Sequence, residues 1–270
     1  MALFALPRRL PACLFGLLAI IAGCGSDHQQ STAIDVPGSG VLGAVVFQTP
    51  GATFPYAYAW YAPLSNSSAC TSNSYGNCIL SVCPASYSNP GVSAGLVTVA
   101  AGGWSVQLGF GDQGYASLTN PPQTAWASGE TVSFTAAGSN AVPAHQGTET
   151  APSFPTVSGP DLTQALTIDR TRDLPLSWHA PDADEVEFQL DSHPSSATAA
   201  GDSISVSCVY AASIGVGALP AAAMAGLLPN GADRSATLTV SAENVSSVKF
   251  GDWSIGFRAQ ASVQADVTVQ

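Results

Sequence analysis

Charge is what this 270-residue chain has least of. Charged side chains make up 9% of it, and only seven of them are basic. Arg8 and Arg9 lie at the extreme N-terminus. The rest of the chain carries Arg170, Arg172, Arg234, Lys249 and Arg258 against 18 acidic residues, a formal charge of −13. A chain this poor in cations lacks the means to neutralise phosphates, so nucleic acid is excluded as an expected partner, and anionic lipid headgroups are repelled too. Helical periodicity is also missing. No long stretch repeats apolar residues at the 3.6-residue spacing of an amphipathic helix. The uncharged segment 211–228 is rich in Gly and Ala and is broken by Pro220, which argues against a membrane span. Metal chemistry has little to work with. No Cys-x2-Cys pair exists and no paired histidines stand near the cysteines, so neither a zinc site nor any other cofactor is expected.

The most informative stretch present is residues 14–24, Leu-Phe-Gly-Leu-Leu-Ala-Ile-Ile-Ala-Gly-Cys, which follows the two arginines. As an apolar run it is too short to cross a bilayer well, since about 20 residues are needed. Its end, Ile21-Ala22-Gly23-Cys24, resembles a bacterial lipobox. The peptidase requires small residues before the cut, which Ala22 and Gly23 supply, and the thioether requires the sulfur of Cys24. The resemblance implies that 1–23 is a lipoprotein signal peptide and that Cys24 is acylated with palmitate-type chains on its thiol and new amino group. Several chains on one residue hold a protein stably, whereas one is marginal. An ordinary secretory signal would not need Cys at the cut. A twin-arginine signal fits poorly with Pro7 and Leu10-Pro11 around the arginine pair. The expected location is the bacterial cell envelope, with the membrane as a partner through the lipid. Gly25, rather than Asp, after the cysteine favours the outer membrane.

Cys70, Cys78, Cys83 and Cys208 remain beyond the anchor, in an oxidising compartment where disulfides persist. Four cysteines allow three full pairings. Cys70-Thr-Ser-Asn-Ser-Tyr-Gly-Asn-Cys78 reads as a polar hairpin loop, so one bridge is expected among Cys70, Cys78 and Cys83, with 70–78 slightly favoured. Cys208 falls on the apolar side of the alternating strand 204–210 and is expected as a buried free thiol.

Residues 24–40, rich in Gly, Ser, Gln and Thr, form an expected tether with a reach of roughly 20–25 Å. Short alternating runs then recur between Gly/Pro turns, with strand candidates at 41–48, 54–61, 77–82, 95–100, 104–110 and 130–136. Many short strands spaced by such turns point to a sandwich or barrel. The Pro-rich segment 141–160 is the expected interdomain connection, part of it extended at a sheet edge. Further strands are expected at 164–169, 174–179, 184–191, 203–210, 235–242, 246–250 and 253–269. One short helix is expected at 220–228, opened by Pro220 and stopped by Pro229-Asn230-Gly231. The fold class is therefore all-β: a sandwich domain over 41–140 and an immunoglobulin-like sandwich over 161–270, with Trp178 as its core tryptophan.

Few constellations carry chemistry. Gly91-Val-Ser93-Ala-Gly95 matches Gly-x-Ser-x-Gly, but the nucleophile elbow needs a strand before the Ser and a helix after it, and here a strand follows. His28, His145, His179 and His193 are scattered through tether, connection and loops. Ser177 or Ser192 could be drawn into a triad with them, as in any Ser-rich β protein. Asp182-Ala-Asp-Glu-Val-Glu187, with Asp191, reads as a solvated strand face; the alternative is a weak calcium site, without the spacing of an EF-hand loop. The sharpest feature is Phe54, Tyr56, Tyr58 and Trp60, which alternate with small residues and share one face of a strand. Aromatics bury the most area per residue, so this stripe is expected in the core. Tyr56, Tyr58 and Trp60 form the alternative, an exposed strip on which sugar rings could stack.

Two phrases carry a family resemblance. One is Ser93-Ala-Gly-Leu-Val-Thr-Val-Ala-Ala-Gly-Gly103, with Gly129-Glu-Thr-Val-Ser-Phe-Thr-Ala-Ala-Gly138 and Val142-Pro143. The other is Leu166-Thr-Ile-Asp-Arg-Thr-Arg-Asp-Leu-Pro-Leu-Ser-Trp178, then Cys208 and Leu219-Pro220. Together they look like uncharacterised two-part β-rich bacterial lipoproteins. The resemblance implies a β fold and an envelope location, and it brings no catalytic residues. The expected function is a non-catalytic binding or structural module whose partner is a glycan or another envelope protein. A membrane-tethered hydrolase is the alternative from another class.

Overall fold

Residues that alternate between apolar and polar build nearly every element of this chain. In Trp104-Ser-Val-Gln-Leu108 the first, third and fifth side chains are buried and the other two exposed. In Glu185-Val-Glu-Phe-Gln-Leu190 the even positions are buried. A strand's two-residue repeat sends successive side chains to opposite faces, so such segments pair into sheets with one buried face. The computed structural model describes residues 38–49, 52–63, 70–85, 91–112, 114–118, 126–195, 201–231 and 234–270. Cys24, His28, and the expected signal peptide and tether up to residue 37 lie outside them.

The strands, in chain order, are β1 (Gly38–Thr49), β2 (Ala52–Pro63), β3 (Thr71–Tyr75), β4 (Cys78–Cys83), β5 (Val97–Ala101) and β6 (Trp104–Gly111). There follow β7 (Gly114–Ser117), β8 (Thr131–Ala136), β9 (His145–Thr150), β10 (Thr156–Gly159), β11 (Leu166–Ile168) and β12 (Leu174–His179). The last are β13 (Glu185–Pro194), β14 (Ser203–Ala211), β15 (Val216–Leu219), β16 (Arg234–Phe250) and β17 (Trp253–Val269). A single-turn helix, α1 (Ala221–Met224), follows β15. No helix among the described residues is long and apolar enough to cross a membrane.

One sheet dominates. Its order is β2-β1-β17-β16-β13-β14-β4-β3, and β11 joins β17 beside Val267–Val269, beyond the reach of β1. A five-stranded sheet runs β7-β6-β5-β8-β9, and a three-stranded one runs β10-β12-β15. Both smaller sheets pack on the same face of the large one. Leu42, Ala44, Trp253, Ile255 and Phe257 of the large sheet meet Val97, Val106 and Phe134 in one core. Val186, Phe188, Val206 and Leu238 meet Leu176, Trp178 and Met224 in the other. The result is an all-β sandwich fold in which one long sheet backs two cores.

Two cores were anticipated, but the chain does not divide at 141–160. That segment supplies β9, paired with β8 from Thr131↔Thr150 to Ala136↔His145, and β10. Its prolines flank these strands; the β8–β9 ladder is unbroken, and the β10–β12 ladder shifts register between Val157 and Gly159. Strands from the first third of the chain also join strands from its end: β1 pairs in parallel with β17 over eleven positions, from Gly38↔Trp253 to Gln48↔Val263. Residues 235–242 and 246–250, expected as two strands, are one, because β17 holds β16 in unbroken register from Ala236 to Phe250. The helix expected at 220–228 is shorter. Asp173 caps its first free amide, accepting from the Ala221 N–H at 2.8 Å, and the chain turns at Gly226 to bury Leu227.

Candidate functional site

The face of the large sheet that turns away from both cores carries the polar half of each alternation. On β17 these are Arg258, Gln260, Ser262 and Gln264, and on β13 they are Glu187, Gln189 and Asp191. Across part of this face runs a groove of about 480 Å³, lined at one end by Tyr56 and Tyr58 and at the other by Glu187, Gln189 and Asp191. Its floor is a hydrogen-bonded chain. The Tyr58 hydroxyl donates to Gln260 Oε1 at 2.8 Å, and Gln260 Nε2 donates to Glu243 Oε1 at 2.7 Å. Arg258 Nη1 meets Glu243 Oε2 at 3.1 Å in an ion pair. Alongside, Ser241 and Ser262 share a hydroxyl–hydroxyl bond of 2.7 Å.

Register explains how Tyr58 reaches two strands over. It lies opposite Gly43 on β1, and Gly43 lies opposite Arg258 on β17. A Cβ at position 43 would fall 2.0 Å from Tyr58 Cζ, so only glycine lets the ring lie flat across β1. Val45, two residues on, is buried on this outer face.

Glu243 is the electrostatic centre of the floor. It is 1% exposed, and a carboxylate loses hydration in such a place. Burial, foremost, pushes its carboxyl up to about 8 from an ordinary 4.5; the charge of Glu187 adds to the rise and Arg258 opposes it. Burial raises the Tyr58 hydroxyl as well, so it serves as a neutral donor. Closer to solvent, Glu187 accepts from the Ser207 hydroxyl, and both Asp191 oxygens accept from Gln189 Nε2, at 3.0 and 2.9 Å.

Tyr56, Tyr58 and Trp60 of the β2 stripe do not face the core, contrary to the expectation from their bulk; the side chain of Phe54 lies outside the described residues. Tyr56 is 50% and Trp60 39% exposed, Tyr58 is half-buried, and Ala57 and Ala59 are buried instead. The reason lies in the neighbours. Trp253, Phe257 and Phe134, together with Tyr61 of β2 itself, already fill the sandwich beneath, leaving room only for methyl groups at positions 57 and 59. Tyr56 and Tyr58 stack on the outside with ring centres 6.4 Å apart and planes 20° from parallel.

The bridge expected among Cys70, Cys78 and Cys83 is present, but its partners differ from the favoured pair. The disulfides are Cys70–Cys83 and Cys78–Cys208, so neither the favoured 70–78 bridge nor a free thiol at 208 exists. The ladders dictate this. Thr71 pairs with Val82, so the next pair outward is Cys70 with Cys83, while Cys78 pairs directly with Cys208 across β4 and β14. Adjacent positions facing across a ladder bring Cβ atoms within bridging range.

The remaining candidates are not assembled into a site. Residues 91–96 are irregular and lead into β5, so Ser93 stands on no strand–helix elbow; its Oγ accepts from the Gly95 N–H at 3.1 Å. Ser177 bonds Ser158 at 2.9 Å, and Ser192 is held between Leu228 and Arg234. His179 is exposed on the three-stranded sheet, whereas His193, on the large sheet, bonds Ser235 at 3.1 Å. His145, expected in a connection, is buried on β9. Its Nδ1 donates to the Pro143 carbonyl at 2.8 Å, so Nε2 accepts from the Tyr61 hydroxyl at 2.9 Å; burial lowers its pKa and keeps the ring neutral. Asp182 ties loops together by accepting from Ser128 and Ser153. Among the described residues no group of three or more His, Cys, Asp or Glu is placed to hold a metal ion.

The floor residues Glu243, Arg258 and Gln260 are the ones sequence reading missed. A signal for them exists in the strict alternation Phe257-Arg-Ala-Gln-Ala-Ser-Val-Gln264, which marks a strand with one fully polar face.

The fold and the groove together define a class: an all-β sandwich protein with an open, polar outer sheet face. No protein-family model matches the chain, and no curated protein matches it.

Proposed function

We propose that this protein is a non-catalytic saccharide-binding module of the bacterial envelope, held there by acyl chains on Cys24 and engaging its ligand across the outer face of the large sheet. The observation that carries the reading is the exposed Tyr56, stacked on Tyr58 at the rim of the groove. A pyranose offers an apolar C–H face that packs on an aromatic ring and hydroxyls that need paired donors and acceptors. The groove supplies the second requirement through Gln189, Gln260, Gln264, Glu187 and Asp191. Such a site is mostly preformed, because Gly43 and the bond to Gln260 hold Tyr58 in place before any ligand arrives. The lipobox and the acidic, lysine-poor surface support the envelope location, and Gly25 supports the outer membrane.

The test has two arms. Full-length protein is applied to a glycan array beside Tyr56→Ala, which should lose about tenfold or more in affinity for whatever is retained. Unchanged retention by Tyr56→Ala would refute the groove as the site. In the second arm Cys24→Ser should remain uncleaved and unlabelled by palmitate, and the native chain should fractionate with the outer membrane. Normal labelling of that variant would refute the anchor.

A further inference from the structure

We propose that the groove selects a saccharide bearing free ammonium groups, an inference that rests on the saccharide reading above and names the ligand's charge and polarity along the sheet. Four interstrand steps of ~4.8 Å separate β2 from β13, so the groove runs about 19 Å, long enough for several sugar rings in a row. Its two ends differ chemically. At β2 the Tyr56–Tyr58 stack offers aromatic faces, whose negative quadrupole favours a cation as well as an apolar ring. At β13 stand the carboxylates of Glu187 and Asp191.

Three charged residues line the groove, and their partners decide its sign. Arg258 is the single cation; it lies 3.1 Å from Glu243, whose raised carboxyl holds its proton at about pH 6, so one positive charge on β17 stands against the two carboxylates of β13. Glu187 and Asp191 accept from uncharged donors, Ser207 and Gln189, and from no cation among the described residues. The surface offered to a ligand is therefore net negative at the β13 end and electron-rich at the β2 end. Uronic or sialic sugars would meet repulsion there, and neutral sugars would leave the carboxylates without a counter-charge. An ammonium group satisfies both carboxylates in turn, since it brings three donors and a positive charge.

Three tetrasaccharides of one linkage separate the possibilities: β-1,4-linked glucosamine, glucose (cellotetraose) and glucuronic acid. They are titrated against the full-length chain by calorimetry at about pH 6, where the amines are charged. The expected order is glucosamine tightest, by about tenfold over cellotetraose, with the uronic oligomer weakest. Asp191→Asn and Glu187→Gln should collapse the glucosamine preference toward the cellotetraose value, and Tyr56→Ala should weaken both ligands together. Equal affinity for glucosamine and glucose oligomers, still lost in Tyr56→Ala, would overturn the charge selection and leave the saccharide reading standing. A glucosamine preference that survives both carboxylate substitutions would overturn it too. Binding of none of the three would overturn the selection, and a blank array would take the underlying reading with it.

Discussion

A single buried carboxyl sets how the outer face responds to pH. Glu243 folds into a place where its carboxyl titrates at about 8, against an ordinary 4.5. A pKa raised on folding means that the native state binds the proton more tightly than the unfolded chain. Its contribution to stability is fully present below about 4.5, declines as pH rises, and is lost above about 8. The melting temperature should therefore fall across that window. The slope contributed by one such group is at most about 1.4 kcal/mol per pH unit. Glu243→Gln, which keeps an acceptor for Gln260 and needs no proton, should flatten that limb; calorimetric scans from acid to alkaline pH would show it. A slope unchanged in the variant would place the titration elsewhere.

At the scale of elements, β2 shows what alternation can and cannot tell. Its period-two pattern places Tyr56, Tyr58 and Trp60 on one face with certainty, and Ala57, Ala59 and Tyr61 on the other. Which face is buried is decided by side chains some two hundred residues away, Trp253 and Phe257, which occupy the space that β2 would otherwise fill. Tyr61→Ala should then cost about 3–5 kcal/mol, the range for a large buried aromatic. Trp60→Ala, at a half-open position, should cost about 1 kcal/mol or less. Denaturant melts of the two variants measure the difference, and equal losses would contradict the assigned faces. The same logic separates what was legible elsewhere. The runs at 104–110, 174–179 and 203–210 announced their strands because each carries its own alternation. β3, β7, β9, β10 and β15 did not, being four to six residues long and rich in Ser, Thr and Gly, so only pairing to a neighbour makes them strands. The disulfides follow from ladder register, which no local spacing reveals. The groove follows from five strands aligned side by side; each polar face was readable and their juxtaposition was not.

For the whole molecule, the long sheet turns two cores into one folding unit. β16 and β17 each run through both sandwiches, with Phe257 in one core and Val267 in the other on the same strand. Cys78–Cys208 further fastens a hairpin from the first third of the chain to β14. Thermal unfolding should proceed as one transition with equal calorimetric and van't Hoff enthalpies. A fragment ending at residue 160 should remain unfolded, because Trp253, Ile255 and Phe257 are missing from its core. Two separated transitions, or a folded fragment by circular dichroism, would overturn this. The parallel pairing of β1 with β17 has a mechanical consequence. Tension entering through the chain ahead of Gly38, the direction a lipid tether imposes, acts along the axis of β1. That strand is laddered on both flanks, to β2 and over eleven positions to β17. Such a load shears many hydrogen bonds at once instead of peeling them one by one, so the fold resists a pull applied through the chain ahead of Gly38.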